Sequence, residues 1–354
     1  MRVDRRAPIV GWDIGGVNTK AARLDAPLDL AAGGGLAIRA ASVPFEIQRD
    51  PHALPDVLRG LAHALELATD AVHAVTMTAE LSQAFRTKRE GVAHVLGALA
   101  KAFPEAPQHV YTVAGHFIFP ADALEDPLAV GASNWRATAA LVARFLPDGV
   151  LVDIGTTSTD VIPLAGGRVV AQGLTDPARL LTRELVYTGA VRTPVEALLH
   201  EVPLWGGRAA VSAEGFATTG DAHLWLGHLG PADYTVPSAD RRPPTREFAG
   251  ERLARVVCGD REMLDDTAID AIARAVVEAQ LARVAAAIAH VQQTAGVAPV
   301  GVVTGLGEFI AAEAARRLGF EVVELSQRLG EAARTAPAAA VAWLLADELG
   351  GRIR

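Results

Sequence analysis

Asp13 ends an apolar run and precedes two glycines, in Val10-Gly11-Trp12-Asp13-Ile14-Gly15-Gly16-Val17-Asn18-Thr19-Lys20. The pattern returns as Val150-Leu151-Val152-Asp153-Ile154-Gly155-Thr156-Thr157-Ser158-Thr159-Asp160, with Asp153 in the place of Asp13. Glycine lets backbone N–H groups approach an anion closely, and the side chains of Asn18, Thr19, Thr156, Thr157, Ser158 and Thr159 add donors. A carboxylate repels a bare phosphate, so Asp13 and Asp153 imply a metal ion, a bound water or a protonated partner beside it. The two stretches together suggest a phosphate clamp made of two hairpins. A third glycine turn, Thr304-Gly305-Leu306-Gly307-Glu308, follows an apolar run and opens a helical one, a place that favours anions or nucleotides.

A second cluster runs from Thr76 to Gly91 and carries Glu80, Arg86, Lys88 and Arg89. It follows a strand-like segment, where open α/β sheets place ligand loops. The three cations suit a diphosphate, arginine by bidentate contacts. A solvated basic turn paired with Glu80 and Glu90 accounts for the same residues. Glu80 fits a metal ligand or a base, and its spacing selects neither.

Other stretches point less sharply. Ser133-Asn134-Trp135-Arg136 reads as a helix capped by Ser133 with a core tryptophan, ahead of the alternative of a helix start with a ligand-facing Asn134. Tyr187 to Pro194 either lines a pocket or turns the chain. Glu214 to Asp221 offers acid and hydroxyl groups to a substrate or Mg²⁺, or a locally bonded turn. Cys258 reads as buried. The ten histidines, His63, His73 and His94 among them, show no metal-ligand spacing. There is no G-x-S-x-G elbow and no full Walker loop.

Periodicity supplies the elements that must position these residues. Ile9 to Ile14 and Thr19 to Leu24 pattern as paired strands, and Ala31 to Gly35 as a glycine-rich turn before a strand at Leu36 to Val43. A helix from Asp50-Pro51 carries Leu54, Val57, Leu58, Leu61 and Leu65, followed by a strand at His73 to Met77 and a helix at Gly91 to Phe103. His109 to Val113 reads as a strand and Ser133 to Phe145 as a helix. The second hairpin ends at Leu164, with a turn at Gly166-Gly167. Residues 187–258, rich in proline, read as an irregular insertion with short helices. Thr267 to Thr294 forms a long amphipathic helix, then come strands at Val300 to Val303 and Glu321 to Leu325. Thr335 reads as the N-cap of a last helix with Pro337 in its first turn. These alternations predict α/β architecture in lobes 1–147 and 148–334, with 335–354 packing back on the first.

Composition limits the partners. The chain has 354 residues, half of them hydrophobic and 21% charged, which suits roughly two globular domains. A net charge of −8 argues against a general nucleic-acid binder. No apolar tract approaches the roughly 20 residues of a membrane helix, and the N-terminus is a poor signal peptide. One cysteine excludes an intrachain disulfide and fits a reducing cytoplasm. Self-assembly into a homo-oligomer stays open.

The paired hairpins and the third glycine turn resemble the actin/hexokinase/Hsp70-type ATPase superfold, in which each of two lobes offers a phosphate hairpin. A narrower resemblance covers almost the whole chain. Gly11 to Lys20, Met77 to Leu81 with Phe85 to Gly91, Val152 to Thr156, Val186 to Gly189, Ala217 to Thr219 and Val257 to Arg261 are similar to the hydantoinase/oxoprolinase-related family tied to tetrahydromethanopterin-linked C1 transfer. One departure keeps the hydroxyls: Thr156-Thr157-Ser158-Thr159 stands where the family pattern is Ser-Thr-Thr-Thr.

That resemblance implies a cytoplasmic transferase making a methanofuran- or methylofuran-type C1 carrier. An archaeal member joins an aminomethylfuran methyl diphosphate to the phenol of γ-glutamyltyramine. The small-molecule partners here would be such a diphosphate and a tyrosine- or tyramine-based acceptor. Gly15, Gly16, Gly155 and Thr156, with Lys20, Arg86, Lys88 and Arg89, would then hold the diphosphate, Asp13 and Asp153 would hold Mg²⁺, and Asp160 or Glu80 would take the phenol proton. The same hairpins serve ATP users. A small-molecule kinase or an oxoprolinase-like amide hydrolase is therefore the competing enzyme, and a non-catalytic nucleotide-binding protein the competitor of another class.

Overall fold

The computed structural model describes residues 7–25 and 38–351. The glycine-rich turn expected at Ala31 to Gly35, and the strand start at Leu36, lie outside them. The described chain divides into two compact units: Met1–Leu151, Ile162–Thr182 and Val323–Arg354 form one, and Val152–Val161 with Arg183–Val322 the other. The second hairpin straddles this division, whereas the sequence suggested lobes 1–147 and 148–334 with 335–354 returning to the first.

The first sheet contains β1 (Ile9–Ile14), β2 (Asn18–Leu24), β3 (Ile38–Pro44), β4 (Val72–Met77), β5 (Gln108–Tyr111) and β6 (Phe117–Ile118), in the order β3-β2-β1-β4-β5-β6. Both β1 and β4 are buried along their whole length, which explains their nearly unbroken apolar sequence. β1 pairs antiparallel with β2 and parallel with β4, placing Asp13 opposite Lys20 on one side and Thr76 on the other. Helices α1 (Leu54–Ala64), α2 (Lys88–Ala102), α3 (Pro120–Glu125) and α4 (Asn134–Val142) complete this part of the chain. Leu54, Leu58 and Leu61 of α1 join Val92, Val95, Leu96 and Leu99 of α2 in one core with Val10, Trp12 and Ile14.

The second sheet repeats the plan of the first. It contains β7 (Gly149–Ile154), β8 (Thr159–Ala165), β9 (Arg168–Val169), β10 (Leu185–Val186), and later β13 (Val300–Thr304) and β14 (Glu321–Glu324), ordered β10-β8-β7-β13-β14 with β9 beside β8. Between them come α5 (Asp176–Leu181), the hairpin of β11 (Glu201–Leu204) and β12 (Gly207–Ala210), α6 (Thr219–Trp225), α7 (Arg246–Arg255) and the 30-residue α8 (Asp266–Ala295). β13 (Val300–Thr304), α9 (Glu308–Arg317), β14 (Glu321–Glu324), α10 (Ser326–Leu329) and α11 (Ala336–Gly351) follow. In both sheets a hairpin's first strand lies between its partner and a strand from further along the chain. The duplication read in the hairpins is thus a duplication of the sheet plan.

The last helix packs on β1, β2, β4 and α4, all within the first unit. A Cβ on Gly11 would stand 1.9 Å from the Ala338 carbonyl oxygen, so the glycine and the alanines of α11 permit that approach. Thr335 does not cap α11. A 3-10 turn runs through it, and its hydroxyl donates to the Ala332 carbonyl at 3.0 Å. Cys258 is exposed rather than buried, at a positive φ of 57° just beyond α7. Among the described residues, no helix is long and apolar enough to cross a membrane.

Candidate active site

The two hairpins make the same turn. Gly15 N–H donates to the Asn18 carbonyl at 3.0 Å, and Gly155 N–H donates to the Ser158 carbonyl at 3.0 Å. In each, a neighbouring segment takes up the turn's carbonyls. Phe45 and Ile47 donate to the carbonyls of Val17 and Gly16 at 2.9 and 3.2 Å. Ala190 donates to Gly155, and Val191 and Arg192 both donate to Thr156, at 2.9 to 3.1 Å. The N–H groups of Gly16, Val17, Thr156, Thr157 and Ser158 donate to no described backbone acceptor. With the carbonyls occupied and the amides available, each turn offers an anion a row of donors.

Asp13 is 5% exposed and lies 3.5 Å from Lys20 Nζ, across the β1–β2 pair. Thr19 is fully buried. Its counterpart Thr159, also buried, donates to the Thr188 carbonyl at 2.7 Å. Asp153 and Asp160 are partly exposed, and Leu185 of β10 lies opposite Asp160.

The third glycine turn is fitted to the second hairpin. Gly305 has φ +92°, and a Cβ there would stand 2.4 Å from both Asp153 Oδ1 and the Ile154 carbonyl oxygen. Gly307 N–H donates to that carbonyl at 2.8 Å. Both glycines are therefore required by close packing against the end of β7, whatever the turn binds.

The structure separates the basic cluster. Lys88, at the start of α2, lies 2.7 Å from Asp176 Oδ2 and 3.3 Å from Glu80 Oε1. Burial opposes its charge, but the two carboxylates outweigh that and raise its pKa. Glu80 is 1% exposed, and burial pushes its pKa up to about 7 against the opposing pull of Lys88. Arg89 donates to the Leu124 and Glu125 carbonyls at 3.1 and 3.4 Å, at the end of α3. Arg86 is exposed, with its backbone N–H bonded to Glu90 at 2.8 Å. Asp176 went unnoticed in the sequence because it lies 88 residues from its partner.

The Tyr187 to Pro194 stretch is an arch over the second hairpin. A Cβ on Gly189 would stand 2.5 Å from the Thr157 nitrogen. Gln280 of α8 donates to the Gly189 carbonyl at 2.8 Å and to Thr188 Oγ1 at 3.0 Å. Its amide oxygen lies 2.8 Å from His223 Nε2, and His223 Nδ1 lies 3.1 Å from His228 Nδ1. The geometry sets the tautomers: Nε2 of His223 donates to Gln280, so its Nδ1 accepts from His228. Burial lowers the His223 pKa to about 4, which keeps that tautomer neutral. Gln280 was legible as a polar residue on the apolar stripe of α8, four residues from both Val276 and Val284.

Two other stretches have structural roles. Asp221 caps α6 with Thr218 and pairs with the buried Arg252 at 2.8 Å. Ser133 makes no cap; its hydroxyl pairs with that of Thr76 at 2.8 Å, and Trp135 is a core residue under Arg179. Among the described residues, no three His, Cys, Asp or Glu are grouped to hold a metal.

Comparisons with known proteins place the chain in a family and a fold. The chain is 34% identical over 343 residues to a Methanocaldococcus jannaschii protein, covering 96% of this chain and 98% of that one. That relative is a synthase of a furanmethanamine carrying a γ-glutamylaminoethyl-phenoxymethyl group. A Methanococcus vannielii protein of the same description is 31% identical over 209 residues, 58% of this chain and 93% of its own length. The nucleotide-free structure of an ATP-dependent acetone carboxylase superposes with a TM-score of 0.61 at 14% identity, covering 96% of this chain and 70% of that one. The fold is the actin/hexokinase/Hsp70-type ATPase-like α/β fold. A model of the hydantoinase/oxoprolinase family matches residues 71–348. The chain belongs to the hydantoinase/oxoprolinase family.

Proposed function

We propose that this protein is a transferase of methanofuran-type C1-carrier biosynthesis. It displaces diphosphate from an aminomethylfuran methyl diphosphate by the phenol oxygen of a tyrosine- or tyramine-based acceptor. One new C–O bond forms, the C–O bond to diphosphate breaks, and the phenol proton leaves to a base. The observation that carries this reading is the pair of equivalent turns with occupied carbonyls and available amides, in a chain related over 96% of its length to a furanmethanamine synthase.

The furan ring stabilises positive charge on the adjacent carbon, so the protein's task is to hold the departing anion and orient the phenol. The available amides of Gly16 and Thr156, the side chains of Asn18, Thr157 and Ser158, and Lys20 are the diphosphate-binding groups, each within its own hairpin; Gly15 and Gly155 close their turns, and the buried Thr19 and Thr159 support them instead of meeting the anion. Gly305 and Gly307 shape the second hairpin from behind. Mg²⁺ binds through one or two carboxylates, waters and phosphate oxygens, so Asp13 and Asp153 suit it without a protein cage. Mg²⁺ would supply charge neutralisation of the leaving group.

Glu80 is enclosed against Lys88, a setting that favours positioning the lysine over meeting a substrate. The partly exposed Asp160 is then the base for the phenol. Of the basic cluster, the exposed Arg86 is the diphosphate contact, while Lys88 is paired with Asp176 and Glu80 and Arg89 braces α3.

Mass spectrometry of a reaction holding the aminomethylfuran diphosphate, γ-glutamyltyramine and Mg²⁺ tests the proposal. The expected result is the ether with one diphosphate released per ether. Absence of ether with tyrosine, tyramine and their γ-glutamyl forms would overturn it. Calorimetry with ATP–Mg²⁺ separates the competing ATP-user reading.

A further inference from the structure

The hairpin amides recognise phosphate, but nothing in them recognises a ring. We propose that Tyr187 is an aromatic platform for the ring of a ring-bearing diphosphate held at the second hairpin. This rests on the diphosphate-binding role given above to that hairpin.

Three contacts fix where Tyr187 sits. Val186, just before it, lies opposite Thr159 in the β10–β8 pair. Thr188, just after it, accepts the Thr159 hydroxyl at 2.7 Å through its carbonyl. Gly189 then lies directly over the Thr156–Thr157 peptide, where a Cβ would be 2.5 Å from the Thr157 nitrogen and 2.6 Å from the Thr156 carbonyl carbon. Tyr187 is thus bound by its neighbours on both sides to the turn whose amides are available.

Its side chain is nevertheless 60% exposed. Leu185 and Val186, in the same short strand, are buried and half-buried, so the exposure begins at the residue beside the hairpin. A large aromatic residue left in water on a backbone segment bonded to a set of anion donors has the character of a ligand contact, because its apolar face gains from being covered.

The support beneath this arch is out of proportion to a simple turn. Thr188, Thr193, Thr219, Gln280 and His223 are all buried, and each bonds within one network. Gln280 and Thr219 both donate to the Gly189 carbonyl, at 2.8 and 2.9 Å. Thr193 Oγ1 meets Thr188 Oγ1 at 3.0 Å and accepts the Gly189 N–H at 3.0 Å. His223 holds the far end of Gln280 at 2.8 Å. A fully bonded buried network specifies a unique local geometry. Here it fixes the backbone that follows the exposed ring, while the β10–β8 pairing fixes the backbone before it, which makes Gln280 and His223 positioning residues for Tyr187.

The test is calorimetry on the full chain with two probes, inorganic diphosphate and furan-3-ylmethyl diphosphate, each with Mg²⁺. Wild type is expected to bind the ring-bearing probe more tightly. Y187A should lower its affinity about 2- to 13-fold, the range expected of an aromatic pair, while inorganic diphosphate binding stays at the wild-type level. Y187F, which keeps the ring, should recover most of that loss. Gln280→Leu, which loosens the whole arch, should weaken both probes. Equal binding of the ring-bearing probe by wild type and Y187A would overturn the inference. Failure of wild type to bind inorganic diphosphate at all would instead overturn the hairpin reading on which it rests.

Discussion

Gly305→Ala probes the junction on which the second hairpin depends. The backbone at residue 305 has φ +92°, a conformation that costs a residue with a side chain about 1–3 kcal/mol. The new Cβ would stand 2.4 Å from Asp153 Oδ1, 2.4 Å from the Ile154 carbonyl oxygen and 2.8 Å from its carbon. Two of these atoms are backbone of β7 and cannot swing aside, so overpacking adds about 1–3 kcal/mol. The sum is a loss of about 2–6 kcal/mol. Gly16→Ala is the matched control: a Cβ there meets nothing within 4 Å, so its cost should be within about 0.5 kcal/mol. Urea unfolding of the three proteins gives the stabilities from midpoint and slope. Inorganic diphosphate binding, read in parallel, should weaken in Gly305→Ala because Asp153 and the end of β7 are displaced. A Gly305→Ala protein as stable as wild type would show that the third turn does not press on Asp153 and Ile154.

Three further outcomes follow from the same geometry. Glu80 has its folded pKa raised from 4.5 to about 7, so it contributes stability that is full below about pH 4.5 and lost as pH rises through 7. Glu80→Gln should therefore gain stability relative to wild type as pH rises from 4.5 to 8, by a few kcal/mol at about 1.4 kcal/mol for each pH unit between the two values. Urea midpoints that keep a constant gap across that range would refute the assignment. Asp221→Ala leaves the buried Arg252 guanidinium without its closest carboxylate and should cost about 3–5 kcal/mol; an unfolding curve unchanged from wild type would contradict it. Asp13→Asn and Asp153→Asn should each reduce ether formation about 10²-fold and blunt its Mg²⁺ dependence. Wild-type turnover and Mg²⁺ response in both variants would remove the metal from the proposal.

Much of the fold was legible because local chemistry determined it. The apolar runs ending in Asp13 and Asp153 became β1 and β7, and the glycine after each became the turn donor to a carbonyl three residues on. The long amphipathic segment became α8, and the proline-rich insertion folded around α6 and α7 with a small hairpin between β11 and β12. These features depend on residue period and turn chemistry, which a single sequence carries. Ser133 and Thr335 were misread as caps because their type suited a cap, yet tertiary neighbours gave their hydroxyls other partners.

The sequence by itself determined that two matching glycine hairpins exist, which residues compose them, and that basic and acidic groups gather between Glu80 and Glu90. Tertiary structure alone decided what surrounds them. It set Asp176 against Lys88, buried Glu80 beside that pair, laid Gly305 on Asp153, and ran Gln280 under the arch that carries Tyr187. The physical reason is range. Turn and strand preferences act over a few residues and are written locally. Ion pairs, close backbone approaches and buried hydrogen bonds join positions far apart in the chain, Gly11 with Ala338 and Gln280 with Thr188 among them, and their partners are defined only once the sheets and helices have packed.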